Sequence, residues 1–265
     1  MLNLVRAEIY KLNKSISLKI CFLLSCISGA ALIYISHCIA IGSMSTDVSG
    51  SASGLTEIVI ISILGSLMTG ILVCSDFETK TIHDSVTCGN GRWSVVISKA
   101  LIFLMIIALL LTPYMLATII GFCSGVQFTK PFVASVFIGI LSDSAGAEVT
   151  AGNLGKIIAI SLVTMLVHAA RISICIPFAF KIRKSIAVLT FGFVFDALIS
   201  LVISLLVKVK IFADIISFTP FESKFLLLTV NTTAGILWKA VISSILFIGL
   251  MAVLAYKIFK RADIK

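Results

Sequence analysis

Six long apolar runs constrain this chain more than any other feature of its sequence. A helix of about 20 apolar residues crosses the roughly 30 Å hydrocarbon core of a bilayer. The runs cover residues 18–41, 56–74, 94–122, 154–180, 186–207 and 234–258. Only 12% of the 265 residues are charged, about half the share of a soluble domain, and the polar segments are too short to enclose a core. The sequence therefore predicts one all-α domain over 1–265, a polytopic membrane protein with six transmembrane helices.

The basic residues predict how these helices are oriented. Lys and Arg gather on one side of the apolar runs, as they do in cytoplasmic loops. The net charge of +9 therefore gives no reason to expect nucleic acid as a partner. The predicted inner side holds fourteen basic residues (Arg6, Lys11, Lys14, Lys19, Lys80, Arg92, Lys99, Lys181, Arg183, Lys184, Lys257, Lys260, Arg261 and Lys265) and the outer side six (Lys130, Lys156, Lys208, Lys210, Lys224 and Lys239). Both termini are accordingly expected in the cytoplasm.

Residues 1–17 precede the first membrane-spanning helix and predict a separate helix. Apolar residues recur there at intervals of three or four positions, at Val5, Ile9, Leu12 and Ile16. This spacing places them on one helical face. Basic residues fill much of the remaining surface, so we expect the helix to lie in the membrane interface with those charges toward anionic headgroups. The alternative is an ordinary basic flank.

Two segments, 124–153 and 208–233, connect helices on the predicted extracellular side. The first contains an apolar stretch, 131–141, which is too short to span and fits an interfacial or re-entrant segment. If it spanned, every later loop would change sides, and the basic stretch at 181–184 would face outward, against the positive-inside rule. The second has a helical repeat of apolar residues that ends at Pro220.

The polar stretch at 75–93 connects the second and third apolar runs. Ser75 and Glu78 have the spacing of a capping box, which predicts that a new helix begins at Ser75. Asp76 and Lys80 are four residues apart and add a favourable side-chain pair, and the glycines that follow end the helix. These signals favour a defined cytoplasmic helix and turn over a plain solvated connection.

Motifs of soluble enzymes are absent from the sequence. It has no GxxxxGK[ST] phosphate loop, the motif that binds ATP in P-loop proteins, and no HExxH. None of the seven cysteines forms a CxxC pair, so we expect neither a disulfide framework nor a metal site. The chain is therefore predicted not to be an enzyme and to bind no cofactor directly.

Ionisable residues inside the apolar runs are functional candidates, because charge is unfavourable in hydrocarbon. The residues that we expect inside the membrane are His168, Arg171 and Asp196. At ~1.5 Å per residue, Arg171 and Asp196 both lie roughly 15–18 Å from the basic turn that joins their helices, so we predict that they pair. One interpretation is a structural pair that fixes the register of two helices. The other is a polar point on a transport route, to which His168 would also belong.

Short motifs in the chain resemble the permease subunits of type-2 ABC exporters. Residues 6–12, RAEIYKL, resemble the amphipathic N-terminal segment of these subunits. Residues 76–82, DFETKTI, resemble their first intracellular stretch, in which an acid shortly precedes a Thr-Ile pair, although the usual glycine before that pair is Lys80 here. Residues 91–93, GRW, and then 98–99, SK, resemble the return into the third helix. The length, the six helices and the inward termini also match.

The resemblance implies a chain without an ATPase site of its own. Two such permeases, identical or related, associate with two copies of a separate ATP-binding subunit, which holds ATP and magnesium. The first intracellular loop supplies a coupling helix that docks on that subunit. The residues carried over to this role are Asp76, Glu78, Lys80, Thr81, Ile82 and Arg92.

The resemblance also implies a class of substrate. Permeases of this size are similar to those of bacteriocin- and lantibiotic-immunity transporters, which expel antimicrobial peptides through the bacterial cytoplasmic membrane to the outside. We therefore expect antimicrobial peptides or other amphipathic drugs as the exported molecules. By the same resemblance, the segments 124–153 and 208–233 would form the outer mouth near the substrate exit.

Two other functions stay open at this point. An ion-coupled secondary transporter would use His168, Arg171 and Asp196 as a relay, although few charges lie within the runs and no paired broken helices are evident. A non-transporting membrane sensor or accessory subunit would need no transport route. A gene for a Walker-type ATPase beside this one favours the exporter, whereas a neighbouring histidine kinase alone favours the sensor.

Overall fold

The computed structural model describes residues 2–44, 52–124, 135–141, 150–206 and 209–261. Within these ranges the regular elements are all helices. In chain order they are α1 (Leu2–Lys14), α2 (Ile16–Ala40), α3 (Glu57–Glu78), α4 (Thr81–Thr87), α5 (Arg92–Cys123), α6 (Val136–Gly139), α7 (Ala151–Ile172), α8 (Cys175–Ile182), α9 (Ser185–Leu206), α10 (Lys210–Ile216) and α11 (Ala234–Arg261). Short 3-10 turns lie at Ala52–Leu55 and Ser223–Leu226.

Six of these helical stretches are long and apolar enough to cross a membrane: α2, α3, α5, α7 continued by α8, α9 and α11. They coincide within a few residues with the six apolar runs, so the predicted number of membrane-length helices is confirmed. The even number brings both ends of the described chain to one side of the bundle. We call that side, with α1, α4 and the end of α11, the basic end, and the other side the opposite end.

The second, third and fourth membrane-length helices form the centre of the bundle. Most side chains of α3, α5 and α7 are buried or half-buried, whereas α9 and α11 present many exposed apolar side chains. In a bilayer such outward apolar faces meet lipid tails or a neighbouring transmembrane helix, so they need no water-soluble cover. The exposed apolar surface is therefore what a membrane protein requires.

Pro113 lies inside α5 without ending it. Its missing N–H leaves the carbonyl of Leu109, four residues earlier, without the usual helical partner. The hydroxyl of Thr112 donates to that carbonyl at 2.7 Å. A neighbouring side chain thus satisfies the freed group, as an apolar environment demands.

Glycines on α3 and α9 let these two helices pack closely. A Cβ atom at Gly70 would lie 2.9 Å from the carbonyl oxygen of Ser185. A Cβ atom at Gly192 would overlap the hydroxyl of Ser66 and lie 2.6 Å from Cys175 Sγ. Small residues let membrane helices approach, and the resulting van der Waals contact is a main source of helix association in lipid.

We expect Gly192→Ala to destabilise the protein by about 1–3 kcal/mol, the usual range for overpacking a filled core. Gly249→Ala is the matched control, because Gly249 lies in α11 with open space at its Cβ position and Ala favours a helix over Gly. The melting temperatures of the purified variants in detergent test this expectation. Equal melting temperatures would contradict the close packing of α3 and α9.

The predicted helix start at Ser75 is wrong. α3 continues without a break to Glu78, and the hydroxyl of Ser75 donates to the main-chain carbonyl of Ile71 instead of capping a new helix. The break comes at Lys80, whose φ of 58° is left-handed. A short α4 follows and ends before Gly89, whose φ of 87° is also left-handed. The loop therefore contains a helix, but a shorter and later one than the capping box indicated.

The predicted pair between Asp76 and Lys80 is wrong as well. Asp76 is buried in the last turns of α3, whereas Lys80 is exposed beyond its end. The carboxylate of Asp76 binds Lys11 and Lys99 instead. Those two cations lie on α1 and α5. The rule that pairs residues four apart in one helix does not consider partners on other helices.

A separate N-terminal helix, α1, is present. Its half-buried apolar side chains pack against the core of the bundle at Leu4, Val5, Ile9 and Leu12. Ile16 does not belong to that face, because it begins α2 and is 72% exposed. Ser15 separates the two helices with an extended backbone, and its hydroxyl accepts the N–H of Leu18. The chain therefore bends at Ser15 before it enters the membrane-length part.

The described parts of segments 124–153 and 208–233 include short helices at the opposite end. In the first, α6 packs on α3, α5 and α7, and its Phe137 is fully buried. Residues 131–134 of the predicted apolar stretch lie outside the described residues. In the second, α10 covers part of the predicted helical repeat, of which Val207 also lies outside the described residues.

Candidate functional site

The helix α4 is anchored to the bundle on one side and exposed on the other. Ile82 is only 2% exposed and belongs to the main apolar core. Lys80, His83 and Asp84 are exposed, and Thr81 is half-buried. A helix held by a core side chain cannot shift without moving the helices it packs against. Of the predicted coupling residues around α4, Ile82 is thus an anchor, whereas Glu78 and Lys80 are exposed.

A cleft of about 220 Å³ opens beside α4 at the basic end. Its lining includes Glu78 and His83 from the loop region and Arg183 from the turn between α8 and α9. The Arg183 guanidinium lies 4.6 Å from the ring centroid of Phe77, within the range of a cation–π contact. The cleft therefore joins the ends of helices that are far apart in the chain, and it carries both signs of charge.

A charge cluster, consisting of Glu8, Lys11, Asp76 and Lys99, lies beneath this loop and is buried except at Lys11, which is half-exposed. The Lys99 side chain is 2% exposed, and its ammonium contacts Glu8 Oε1 at 2.6 Å and the carbonyl of Leu72 at 3.0 Å. The same ammonium contacts one carboxylate oxygen of Asp76, and Lys11 contacts the other. The two negative carboxylates are thus matched by two positive ammonium groups. Charged groups inside a protein need such partners to be stable.

The charge cluster connects α1, α3 and α5 in a region where an unpaired ion would be strongly unfavourable. Asp76 is its centre, because both cations bind its carboxylate. Sequence reasoning assigned Asp76 to the docking surface, but the side chain is buried and faces the cluster. Sequence reasoning also missed Glu8 and Lys99 as site residues. A signal for Lys99 existed, since a lysine inside an apolar run is itself a functional candidate.

Arg92 connects two helices and is half-buried. Its Nη1 donates to the carbonyl oxygens of Phe259 at 3.0 Å and of Lys260 at 2.7 Å. Carbonyl groups at a helix C-terminus lack partners within the helix, and a cation there is favoured by the helix dipole. Arg92 therefore caps α11, a role that its position in the predicted coupling loop did not indicate.

Arg171 and Asp196 are brought together between α7 and α9. Arg171 Nη2 lies 2.7 Å and Nε 3.2 Å from Asp196 Oδ1. The same Nη2 lies 3.4 Å from the hydroxyl of Ser200, and the guanidinium lies 5.5 Å from the ring centroid of Phe221. Arg171 is 5% exposed, so its positive charge is stabilised by these contacts rather than by water. The structure thus shows the Arg171 and Asp196 pair, whereas a role for this pair in transport stays a prediction.

His168 lies one turn before Arg171 but takes a different place. Its ring stacks on Phe137 of α6, with centroids 6.2 Å apart and an interplanar angle of 13°. Its Nε2 is buried and has no hydrogen-bond partner among the described residues. That nitrogen therefore takes no part in the Arg171 and Asp196 bonds, and the three residues do not form a continuous hydrogen-bonded relay through it.

Glu57, at the opposite end, is a buried acid in the first turn of α3. It is fully buried, and its Oε1 accepts the main-chain N–H groups of Val136 and Phe137, the latter at 3.0 Å. Its Oε2 has no hydrogen-bond partner among the described residues. Glu57 thus attaches α6 to the start of α3.

These arrangements position charge and connect helices; among the described residues no group of three or more His, Cys, Asp or Glu side chains is placed to hold a metal ion. The exposed polar surface of α4, the cleft beside it and the charge cluster below it lie together at the basic end. They form the candidate functional site of the chain. No family model matches this chain, and no curated protein is significantly similar to it.

Proposed function

We propose that this chain is the membrane-spanning permease subunit of an ATP-driven exporter of the type-2 ABC class. Six membrane-length helices and a short helix in the loop between the second and third support the proposal. ATP and magnesium would be held by a separate ATP-binding subunit, present in two copies, and a second permease would complete the assembly. The basic end would face the bacterial cytoplasm, because basic residues favour that side of the membrane.

The observation that carries the proposal is the attachment of α4. Its outward side presents polar groups to a partner, whereas Ile82 is embedded in the core. Its connection to α3 is short, and Asp76, in the last turn of α3, lies at the centre of the charge cluster. A displacement applied to α4 therefore reaches α1, α3 and α5 through packed or charge-paired groups. A plain solvated loop would absorb the same displacement.

The chain's own residues define how movement would spread through the bundle. Ile82 would press on the core, and Arg183, which contacts Phe77, would link the cleft to the turn between α8 and α9. Arg92 would keep the end of α11 attached to the start of α5. The coupling surface itself would consist of Glu78, Lys80 and Thr81 with the exposed face of α4. We place α1 in the membrane interface, with its basic residues toward anionic headgroups.

Antimicrobial peptides or other amphipathic drugs are the substrates we propose for this exporter. The proposal rests on the resemblance of the chain to small immunity permeases and on the apolar character of its helices. Peptides of this kind insert into the membrane through an apolar face, so a permease can take them up from the lipid. The segments near α6 and α10 would then form the exit at the opposite end.

The first test is purification of the tagged chain from its native membrane in a mild detergent, with identification of every protein that accompanies it. A stoichiometric ATP-binding subunit supports the exporter. A chain that comes out alone and carries a solute under a proton or sodium gradient overturns it. That second outcome would favour ion-coupled transport. The specific observation for it is that Glu57 Oε2 and His168 Nε2 are buried and have no hydrogen-bond partner within the described part of the chain.

Glu78→Lys is expected to reduce the accompanying ATP-binding subunit about tenfold, because reversing an exposed interface charge replaces attraction with repulsion. The folded yield should not change, since Glu78 is exposed. Asp214→Lys is the matched control, with the same charge change on an exposed residue at the opposite end. If both variants retain equal amounts of the ATP-binding subunit, the docking surface lies elsewhere.

A further inference from the structure

A shallow groove runs between α1 and α3 at the basic end of the bundle. It has apolar walls and a polar rim: the walls are Leu12, Met68, Ile71 and Leu72, and the rim is Glu8, Lys11, Ser15 and Ser75. The groove lies where the chain bends from α1 into the membrane-length α2, which is the level of the lipid headgroups if the bundle spans the bilayer. The apolar walls continue toward the interior of the membrane from this rim.

The most exposed charge on the rim is positive. The Lys11 side chain is 50% exposed although its ammonium contacts Asp76. An ammonium group has three donors, so this contact leaves donors for a second acceptor. Glu8 is 14% exposed and its carboxylate is bound by Lys99, so it presents little negative charge to the groove. Lys14 and Lys19, both exposed nearby in the chain, add positive charge.

We propose that this groove binds one anionic phospholipid. Its phosphate would accept hydrogen bonds from Lys11 beside Ser15, and one acyl chain would lie along Leu12 and Ile71. A soluble anion fits the rim but leaves the apolar walls in contact with water or detergent, whereas a phospholipid satisfies both. Neutral and zwitterionic lipids fit the walls but bring no net negative charge to Lys11.

Lys11 gives the lipid an effect beyond binding. It contacts Asp76, the centre of the charge cluster, and Asp76 lies in the last turn of α3 before α4. A phosphate on the exposed side of Lys11 would hold that ammonium in place and keep α1 seated against α3. The site therefore links the charge of the surrounding lipid to the position of the loop that contains α4.

The test measures lipid binding to the purified chain by native mass spectrometry. The probes are palmitoyl-oleoyl phosphatidylglycerol and the phosphatidylcholine with identical acyl chains. Both lipids carry the phosphate that would accept from Lys11, but the choline of the second adds a positive charge beside the basic residues of α1. We therefore expect the first to bind about tenfold more tightly. Equal affinities would overturn the proposal. The measurement needs no ATP-binding subunit, so its result stands whatever becomes of the proposed export function.

Ser15→Asp and Ser15→Asn provide a matched pair of variants. Both residues cap a helix as well as Ser does, so α2 keeps its start, and only Asp adds a negative charge to the rim. We expect Ser15→Asp to lose the preference for phosphatidylglycerol and Ser15→Asn to keep it. Equal preference in the two variants would contradict a phosphate at this position.

Substitutions at Lys11 test the phosphate contact directly. Lys11→Gln should remove the preference for phosphatidylglycerol, whereas Lys11→Arg should keep it. Lys14→Gln, outside the groove lining, should change the preference less than about twofold. A titration with inorganic phosphate distinguishes the two sources of the anion. If inorganic phosphate displaces phosphatidylglycerol at equal concentration, the site recognises phosphate alone and the lipid assignment is wrong.

Discussion

Lys99→Met is expected to lower the free energy of unfolding by about 3–5 kcal/mol, the range for removing one partner of a buried ion pair. The substitution keeps an unbranched side chain of similar length but removes the ammonium that contacts Glu8 and Asp76. Two carboxylates then remain buried with Lys11, which is half-exposed, as the remaining cation of the cluster. Unfolding by SDS in mixed micelles, together with the yield of monodisperse protein, measures the effect.

Two further variants make this experiment specific to the charge cluster. Asp76→Asn in the Lys99→Met background removes the uncompensated negative charge and should restore most of the stability, because a neutral amide needs no counter-ion. Lys19→Met removes an exposed lysine from the same end of the bundle and should have little effect. Wild-type stability of Lys99→Met alone would mean that the cluster is not formed.

Arg171→Ala is expected to reduce folded, membrane-inserted protein severely, with a loss of about 3–5 kcal/mol. The guanidinium contacts both Asp196 and Ser200, and without it Asp196 is left as a lone charge between two membrane-length helices. Expression level and the melting temperature in detergent measure the loss. Normal expression of the single variant would contradict the structural role of the pair.

Asp196→Asn in the Arg171→Ala background distinguishes the two interpretations of this pair. The double variant has no unpaired charge and should recover folding under either interpretation. If it also supports the proposed export at the wild-type rate, the pair only fixes the register of α7 and α9. If it folds but does not transport, the pair is a polar point on the transport route.

The membrane-length helices and the Arg171 pair could be predicted from the sequence for the same physical reason. An apolar run long enough to cross the bilayer satisfies its backbone hydrogen bonds there as a helix, so a membrane-length helix can be predicted from the length and composition of the run. A tight basic turn then fixes the two helices it joins as antiparallel neighbours, and residues at equal distance from the turn face each other at the same depth. Both arguments need only residues that are close in the chain.

The charge cluster could not be predicted in that way. Lys99 and Glu8 are 91 residues apart, and Lys11 and Asp76 are 65 residues apart. Their contacts depend on which helices become neighbours in space, and rules for residues within one helix say nothing about this. The predicted pair with Lys80 failed for this reason, because Asp76 was given a local partner when its partners lie on other helices. The predicted capping box failed because α3 continues through Ser75 to Glu78.

Glu57 shows a second limit of local reasoning. An acid at a helix N-terminus is favoured by the helix dipole whether it is exposed or buried, so the sequence gives no reason to look further. Its burial arises from α6, which folds onto the start of α3 and donates two main-chain N–H groups to it. The conformation of the segment that contains α6 would have to be known before this contact could be predicted.

The contacts of α11 at the basic end bear on how the chain is assembled during its synthesis. Arg92 binds carbonyl oxygens 167 and 168 residues later in the chain, and the ring of Phe259 packs against Phe77 and Phe180. The ribosome delivers α11 after every other membrane-length helix of the described chain, so these bonds form only when the last helix is inserted. Until then the nascent bundle lacks part of its final packing. A chain interrupted before α11 therefore presents an incomplete surface that membrane chaperones and quality-control proteases can recognise.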